Sequence, residues 1–211
     1  MRVMLLGATG LVGGQVQRLL LEDRRCTAVI APGRRPLGVA HARLHAPVLD
    51  FDELPLAPDW ARVDAVISAL GTTMAQAGSR EAFRRVDHDY PLAFARLARG
   101  QGATAFALNS AAGAKAGSAI FYSRVKGELE GDLRALAFPS LTLVRPGLIG
   151  GERQHVRRGE QFAARVLGAL GPVLPRAWRI NPAPVIARAL VEAALVPRPG
   201  QHVVPAQLLV D

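Results

Sequence analysis

The first thirteen residues of the chain combine a short apolar run with a regularly spaced glycine turn. Val3 to Leu6 are apolar, and Gly7, Gly10 and Gly13 then recur at every third position before an apolar helical pattern begins. This order predicts a β-strand that passes through a tight turn directly into a helix. Glycine suits such a turn because a Cβ would block the turn itself, a bound phosphate or the packing of helix on strand.

A strand, glycine turn and helix in this order are typical of a dinucleotide site. Backbone N–H groups and the positive end of the helix dipole then lie beside the pyrophosphate. An ordinary strand-to-helix turn is the alternative. We predict cofactor contacts from this stretch at Gly7, Thr9, Gly10, Leu11, Val12 and Gly13.

The remaining chain alternates between strand-like and helix-like patterns. This alternation predicts an α/β fold, a doubly wound parallel sheet with helices on both faces. We expect one domain over residues 1–211, with a small substrate-side region at about 145–200. Strands are predicted at 3–6, 26–30, 45–49, 64–70, 103–109, 141–144 and 202–204, and helices from 11 and at 79–99, 118–137, 160–170 and 184–195.

Composition narrows the class of protein. The net charge is +9, but the positive residues are mostly scattered arginines and aromatic content is only 5%, which argues against a nucleic-acid partner. No uninterrupted apolar run of about 18 residues predicts a membrane span, and no charged-then-apolar leader follows Met1. We therefore expect a cytoplasmic protein without a metal site. The single cysteine, Cys26, is predicted to be a buried strand residue.

The loop after the second predicted strand bears on the choice of cofactor. A carboxylate there would bind a ribose 2′-hydroxyl, whereas arginine pairs with a 2′-phosphate. This chain has Arg34 and Arg35 and no carboxylate before Asp50, which favours NADP(H) over NAD(H). An exposed basic loop is the alternative. Asp50 and Phe51, after the third predicted strand, are expected to border the adenine.

The fourth predicted strand ends in small residues. Ligands of parallel sheets bind at the carboxyl ends of the strands, so this turn is expected to pass under the ribose and diphosphate. A plain strand-ending turn explains these residues equally well. The residues concerned are Ala69, Leu70, Gly71 and Thr72.

Three polar residues further along predict carbonyl chemistry. Tyr122 and Lys126 lie four apart on a predicted helix, and the chain has only two tyrosines and two lysines. Because residues four apart share a helix face, the lysine ammonium can stabilise the phenolate form of the tyrosine. Tyr122 would act as general acid to a carbonyl oxygen, and Ser110, at a strand end, would hold the same oxygen. The alternative is a core tyrosine and a solvated lysine.

At this point the chain resembles a known family. GATGLVGG at 7–14, SALGTT at 68–73, FRRVDHDY at 83–90, YSRVKGELE at 122–130 and VRPGLIGGER at 144–153 are similar to an atypical short-chain dehydrogenase/reductase. The resemblance is to the oxidoreductase-like, NADPH-binding family of the HIV Tat-interacting protein. It implies a Rossmann fold, NADPH binding and a Ser110–Tyr122–Lys126 site. It also implies that Pro146 lies by the nicotinamide.

The chain departs from the wider superfamily at two places. Asp87 stands where many of these enzymes have an asparagine that completes a proton relay, and the region after Val144 is short. His155, Arg157, Arg158 and Trp178 are candidates to line a substrate cleft, although a lone His or Trp is more often structural.

Two functions follow from these patterns. The first is an NADPH-dependent reductase of a small carbonyl or quinone-like substrate. The second is an NADP(H)-binding regulatory or scaffold protein with a protein partner, and an isomerase or dehydratase comes third. The assembly is expected to be a monomer or a homodimer formed through the helices at 79–99 and 118–137.

Overall fold

The computed structural model describes residues 1–150 and 180–210. Its strands are β1 Arg2–Leu6, β2 Ala28–Ile30, β3 Leu44–His45, β4 Ala65–Ser68, β5 Ala105–Asn109, β6 Ser140–Arg145, β7 Ile149–Gly150, β8 Asn181–Pro182 and β9 Gly200–Pro205. Its α-helices are α1 Leu11–Glu22, α2 Met74–Ala77, α3 Arg80–Arg84, α4 Tyr90–Gly100, α5 Phe121–Ala135 and α6 Ala183–Leu195. A π-helical segment, Arg85–Asp89, joins α3 to α4.

Within these residues a seven-stranded sheet forms the centre of the fold. Its strand order is β3-β2-β1-β4-β5-β6-β9, and all its pairs are parallel. The order reverses at β1, and such a switch point opens a crevice at the carboxyl ends of the strands. The doubly wound α/β fold predicted from the sequence is therefore confirmed.

Helices cover both faces of the sheet because its central strands are apolar on both sides. On one face Val3 and Leu5 of β1 pack with α1 and α6. On the other, Met4 and Leu6 pack with α4 and α5. Burial on both faces explains the continuous apolar run of β1, in which Val3 to Leu6 are all fully buried.

The long helix predicted at 79–99 is divided in the structure. The N–H of Tyr90 bonds to the carbonyl of Arg85, five residues earlier, so the middle of the stretch is π-helical. Pro91 follows and has no N–H to donate to the carbonyl of Asp87, which removes one α-helical bond at this point. The extra residue turns both Asp87 and His88 into the protein, where both are buried.

Two predicted strands are shorter than expected. The strand predicted at 45–49 covers only Leu44–His45, because Pro47 cannot donate to a ladder, and pairing resumes as a single bridge between Gly33 and Val48. The prediction that Cys26 is a strand residue is wrong, since its N–H bonds to Asp23 in the turn after α1. The residue is nevertheless buried, as predicted.

Some predictions lie outside the described residues. These are the helix at 160–170 and the cleft candidates His155, Arg157, Arg158 and Trp178. In the described ranges, 1–150 and 180–210, no helix is long and apolar enough to cross a membrane.

The burial of Cys26 predicts a protected thiol. Its exposure is 1%, and burial raises the pKa of the thiol, so the reactive thiolate is disfavoured in the folded state. We expect Ellman's reagent to label the folded protein only at the rate at which it unfolds. Labelling across a urea series, compared with the unfolding transition followed by circular dichroism, checks this. Rapid labelling without urea would contradict the packing.

Candidate functional site

The glycine turn between β1 and α1 is shaped by two close backbone approaches. Gly7 has φ +83° and its carbonyl accepts the N–H of Gly10 at 2.9 Å. A Cβ on Gly7 would lie 2.7 Å from the Ala69 carbonyl oxygen, and a Cβ on Gly13 would lie 1.9 Å from the Gly7 carbonyl oxygen. Neither position has room for a side chain. These glycines therefore allow β1, the turn after β4 and α1 to meet.

The N-terminus of α1 opens onto a cleft beside this turn. Gly10 is the capping residue and has no side chain to bond to the first N–H groups of the helix. These groups lack partners within the helix and carry the positive end of its dipole. Gly10, Leu11 and Val12 line the cleft. The arrangement is suited to binding a phosphate group.

The cleft has a volume of about 530 Å³ and lies at the carboxyl ends of β1, β4 and β5. It brings together eleven of the residues that the sequence predicts for the site, namely Thr9, Gly10, Leu11, Val12, Ala69, Leu70, Gly71, Thr72, Ser110, Tyr122 and Lys126. Thr73, Gln76, Asp87, Asn109 and Ile149 also line it. Because the strands are parallel, residues far apart in the chain meet at this one edge.

Several predicted cofactor residues do not line this cleft. Arg34 and Arg35 are exposed on the loop after β2. Asp50 accepts the N–H of Asp52 at 2.9 Å, and the carbonyl of Pro146 accepts the N–H of Ala112 at 2.8 Å. Their cofactor contacts stay predictions.

Phe51 has a different environment from the one expected. Its ring is buried and packs edge-on against two rings of α4, with centroids 5.4 Å from Tyr90 and 4.8 Å from Phe94. Burial of Tyr90, followed by its hydrogen bond to Asp52, raises the pKa of that phenol. Core packing thus explains Phe51 without a ligand.

A buried ion pair forms part of the cleft wall. The Nζ of Lys126 lies 2.8 Å from Oδ1 of Asp87, and both side chains are almost fully buried. The second oxygen of Asp87 accepts the backbone N–H of Thr72 at 2.7 Å. A Cβ on Gly71 would lie only 3.3 Å from Asp87 Oδ1. Asp87 therefore links the helix that carries Lys126 to the turn after β4.

Tyr122 is the accessible member of the predicted catalytic set. It lies in the first turn of α5, one turn before Lys126, and is 40% exposed. Its ring centroid lies 5.8 Å from that of Phe83, which supports one side of the ring. A residue in this position can meet a substrate that enters the cleft.

Ser110 has a partner that the sequence analysis did not name. Its hydroxyl donates to Oε1 of Glu130 at 2.6 Å. Glu130 is 1% exposed and accepts from Arg145, through Nε at 2.9 Å and through Nη2. This hydrogen bond to Glu130 raises the pKa of Arg145. A buried carboxylate of this kind is stable only because it is paired.

Two buried oxygen atoms near the cleft lack a partner among the described residues. They are Oγ of Ser68, at the end of β4, and Oδ1 of Asn109, at the end of β5. Unpaired buried polar atoms are costly and mark sites where a ligand or water completes the bonding. Asn109 lines the cleft and is in a position to bind such a group.

Sequence reasoning identified Asp87 only as a departure from the superfamily, and missed Glu130 altogether. A signal for Glu130 was available. It lies at the four-residue spacing from Lys126 on the helix face that also buries Val125, Leu129 and Leu133. A charged residue on an apolar face requires a partner.

Curated relatives match most of the chain. Protein fmp52 of Aspergillus fumigatus, named as mitochondrial, is 36% identical over 203 residues, which cover 92% of this chain and 86% of that protein. Protein HTATIP2 of Rattus norvegicus is 34% identical over 206 residues, covering 94% of this chain and 83% of that protein. No protein-family model matches the chain.

Solved structures share the fold at low sequence identity. MoeE5, determined in complex with UDP-glucose and NAD, has a TM-score of 0.73 at 18% identity and covers 97% of this chain and 75% of its own. A short chain dehydrogenase family protein from Francisella tularensis has a TM-score of 0.69 at 14% identity and covers 98% of both chains. The fold and the relatives together define a short-chain dehydrogenase/reductase. More narrowly, the chain belongs to the family of HTATIP2 and fmp52, an atypical branch of that superfamily.

These relatives contradict one expectation. The sequence analysis predicts a cytoplasmic protein because the chain shows no leader, but the fungal relatives are named as mitochondrial proteins. The absence of a recognisable leader was therefore a poor guide to location.

The close approach at Gly13 predicts a position-specific effect in α1. In Gly13→Ala the new methyl group meets the Gly7 carbonyl, a backbone atom that cannot move aside, so we expect a loss of at least about 1–3 kcal/mol. In Gly14→Ala the nearest atom is 3.7 Å away, an ordinary contact, so a gain of about 0.5–1 kcal/mol is expected. Urea unfolding of both variants measures the difference. Equal stability of the two would contradict the described turn.

The Lys126–Asp87 pair predicts strong coupling in a double-mutant cycle. Asp87→Asn and Lys126→Met each leave one buried charge unpaired, so each is expected to cost about 3–5 kcal/mol in the free energy of unfolding. The double variant removes both charges and should cost far less than the sum. Urea unfolding of all four proteins gives the coupling.

The control cycle uses the exposed pair Arg18–Glu22 with the substitutions Arg18→Met and Glu22→Gln. Coupling there is expected to be within about 0.5 kcal/mol. Additive effects of Asp87→Asn and Lys126→Met would show that the buried pair does not hold the two elements together.

Proposed function

We propose that this protein is an NADPH-dependent oxidoreductase that transfers a hydride to a small carbonyl or quinone-like substrate. The observation that carries the proposal is that Tyr122 and Lys126 share one cleft with the uncapped N-terminus of α1. One wall of the cleft is suited to a diphosphate and the other to a proton donor. The chain's membership of a dehydrogenase-like family supports the same reaction class.

The described residues fit a dinucleotide. The glycine turn leaves no side chain where a diphosphate would approach, and the buried Oδ1 of Asn109 lacks a partner. MoeE5, whose fold is similar, was determined with NAD. The exposed Arg34 and Arg35 favour NADPH, since a 2′-phosphate would pair with their guanidinium groups.

Each catalytic residue has a distinct task in this proposal. NADPH, when bound, supplies a hydride to the carbonyl carbon. Tyr122 donates its phenol proton to the carbonyl oxygen, and its 40% exposure allows contact with substrate. Lys126 is held in one position by Asp87 and is thus preorganised to bind a ribose hydroxyl without first losing side-chain freedom.

One observation favours a second candidate, an NADP(H)-binding regulatory protein with little turnover. Lys126 is paired with Asp87, and Ser110 donates its proton to Glu130, so two of the three predicted catalytic side chains already have protein partners. In a regulatory protein such bonds would serve only to stabilise the cleft. Partner binding that changes with NADPH, without turnover on a panel of carbonyl compounds, would favour this candidate.

The cofactor proposal predicts tight NADPH binding that depends on the paired arginines. In Arg34→Ala/Arg35→Ala we expect the NADPH dissociation constant to rise at least about tenfold, because charged hydrogen bonds to the 2′-phosphate are lost. NADH binding should change little. Titration followed by nicotinamide fluorescence measures both constants.

The matched control is Arg62→Ala/Arg96→Ala, which removes the same charge from exposed positions that do not line the cleft. Tyr122→Phe should bind NADPH like the wild type but transfer hydride at least about a hundredfold more slowly. Full turnover in Tyr122→Phe would remove the proposed proton donor. Failure of the wild type to bind either nucleotide would overturn the cofactor assignment.

A further inference from the structure

The carboxylate of Glu130 is surrounded by donors. Arg145 bonds to both of its oxygens, and Nη2 of Arg134 lies 3.4 Å from Oε2. Guanidinium groups only donate, and an ionised carboxylate only accepts. The hydrogen in the 2.6 Å bond between Ser110 and Glu130 therefore belongs to Ser110.

This bond determines what Ser110 can offer in the cleft. A serine hydroxyl has one proton to donate and two lone pairs that accept. The proton is held by Glu130, so Ser110 has only acceptor capacity left for a ligand. Ser110 lines the cleft together with Tyr122, whose phenol is free to act as the donor.

We propose that Glu130 is a positioning residue that makes Ser110 a hydrogen-bond acceptor, and that the substrates of this cleft are hydroxycarbonyl compounds. The substrate's carbonyl oxygen accepts from Tyr122, and its neighbouring hydroxyl donates to Ser110. A plain ketone leaves Ser110 without a donor in a buried site, which selects against it. This inference rests on the proposed oxidoreductase function and names its substrate class.

The reaction balances without a further reactant. The carbonyl carbon gains a hydride from NADPH, and the electron pair of the broken C=O π bond takes the Tyr122 proton. A hydroxyketone and NADPH thereby become a diol and NADP⁺. Tyr122 recovers its proton from water, and Ser110 and Glu130 exchange no proton with the substrate.

Matched substrates test the inference. We expect kcat/KM with NADPH to be at least about tenfold higher for acetoin than for butanone, and for benzoin than for deoxybenzoin. Ser110→Ala should abolish this preference. In Glu130→Gln the amide oxygen is expected to face Arg145 and the amide NH₂ to face Ser110, which frees the serine proton. The preference should then fall or reverse in favour of the plain ketone.

The matched control is Glu128→Gln, the same substitution two positions earlier on α5, where the carboxylate pairs with Arg84 instead. It should retain the wild-type preference. Because a ratio of kcat/KM values compares two substrates on one protein, a general loss of stability does not change it. An unchanged ratio in Ser110→Ala, or equal rates for both members of each pair, would overturn the inference while leaving the oxidoreductase proposal intact.

An NMR measurement needs neither cofactor nor substrate. A serine proton in a short bond to a carboxylate exchanges slowly with water and gives its own downfield resonance. We expect this resonance in the wild type and in Glu128→Gln, and its loss in Ser110→Ala. If it is absent from the wild type, Glu130 does not hold the proton and the inference fails. NADPH binding without hydride transfer to any of the four compounds would overturn both the substrate class and the reductase proposal.

Discussion

Two opposite charges lie one turn apart on the buried face of α5, and the site depends on how they are paired. Lys126 bonds to Asp87 of the π-helical segment, and Glu130 bonds to Arg145 at the end of β6. Because an unpaired buried charge is very costly, each bond constrains the helix against a different neighbour. The position of α5, and with it that of Tyr122, is therefore set by electrostatic pairing as well as by the apolar packing of Leu129 and Leu133.

The π-helical segment is what makes the first of these pairs possible. In a regular helix, neighbouring residues such as Asp87 and His88 point in directions about 100° apart, and only one would face the core. The extra residue per turn allows both to be buried, with His88 bonded to Asp89 and Asp132 at the protein's edge. Pro91 favours this geometry because it cannot complete the α-helical ladder. A local break in the helix thus supplies the partner of Lys126.

Local spacing explains why part of this site is predictable from the sequence. The glycine turn, the Tyr122–Lys126 spacing and the serine at the end of β5 are short-range patterns, and the parallel sheet carries all of them to one edge. The bonds from Asp87 to Lys126 and from Ser110 to Glu130 join residues from different elements, so no local pattern contains them. Phe51 shows the opposite case, since an aromatic residue at a strand end is equally compatible with a ligand contact and with core packing.

The pairing also divides the electrostatic work of the cleft between separate groups. With Lys126 compensated by Asp87, attraction for a diphosphate falls mainly to the N–H groups at the start of α1, whose partial charge acts over one turn. The N–H groups are fixed by the backbone, so they need no counter-charge and lose no side-chain entropy when an anion arrives. Lys126 and Ser110 are likewise held by partners before any ligand binds. Their contribution is then direction rather than net charge, which suits a site that discriminates between substrates by hydrogen-bond pattern.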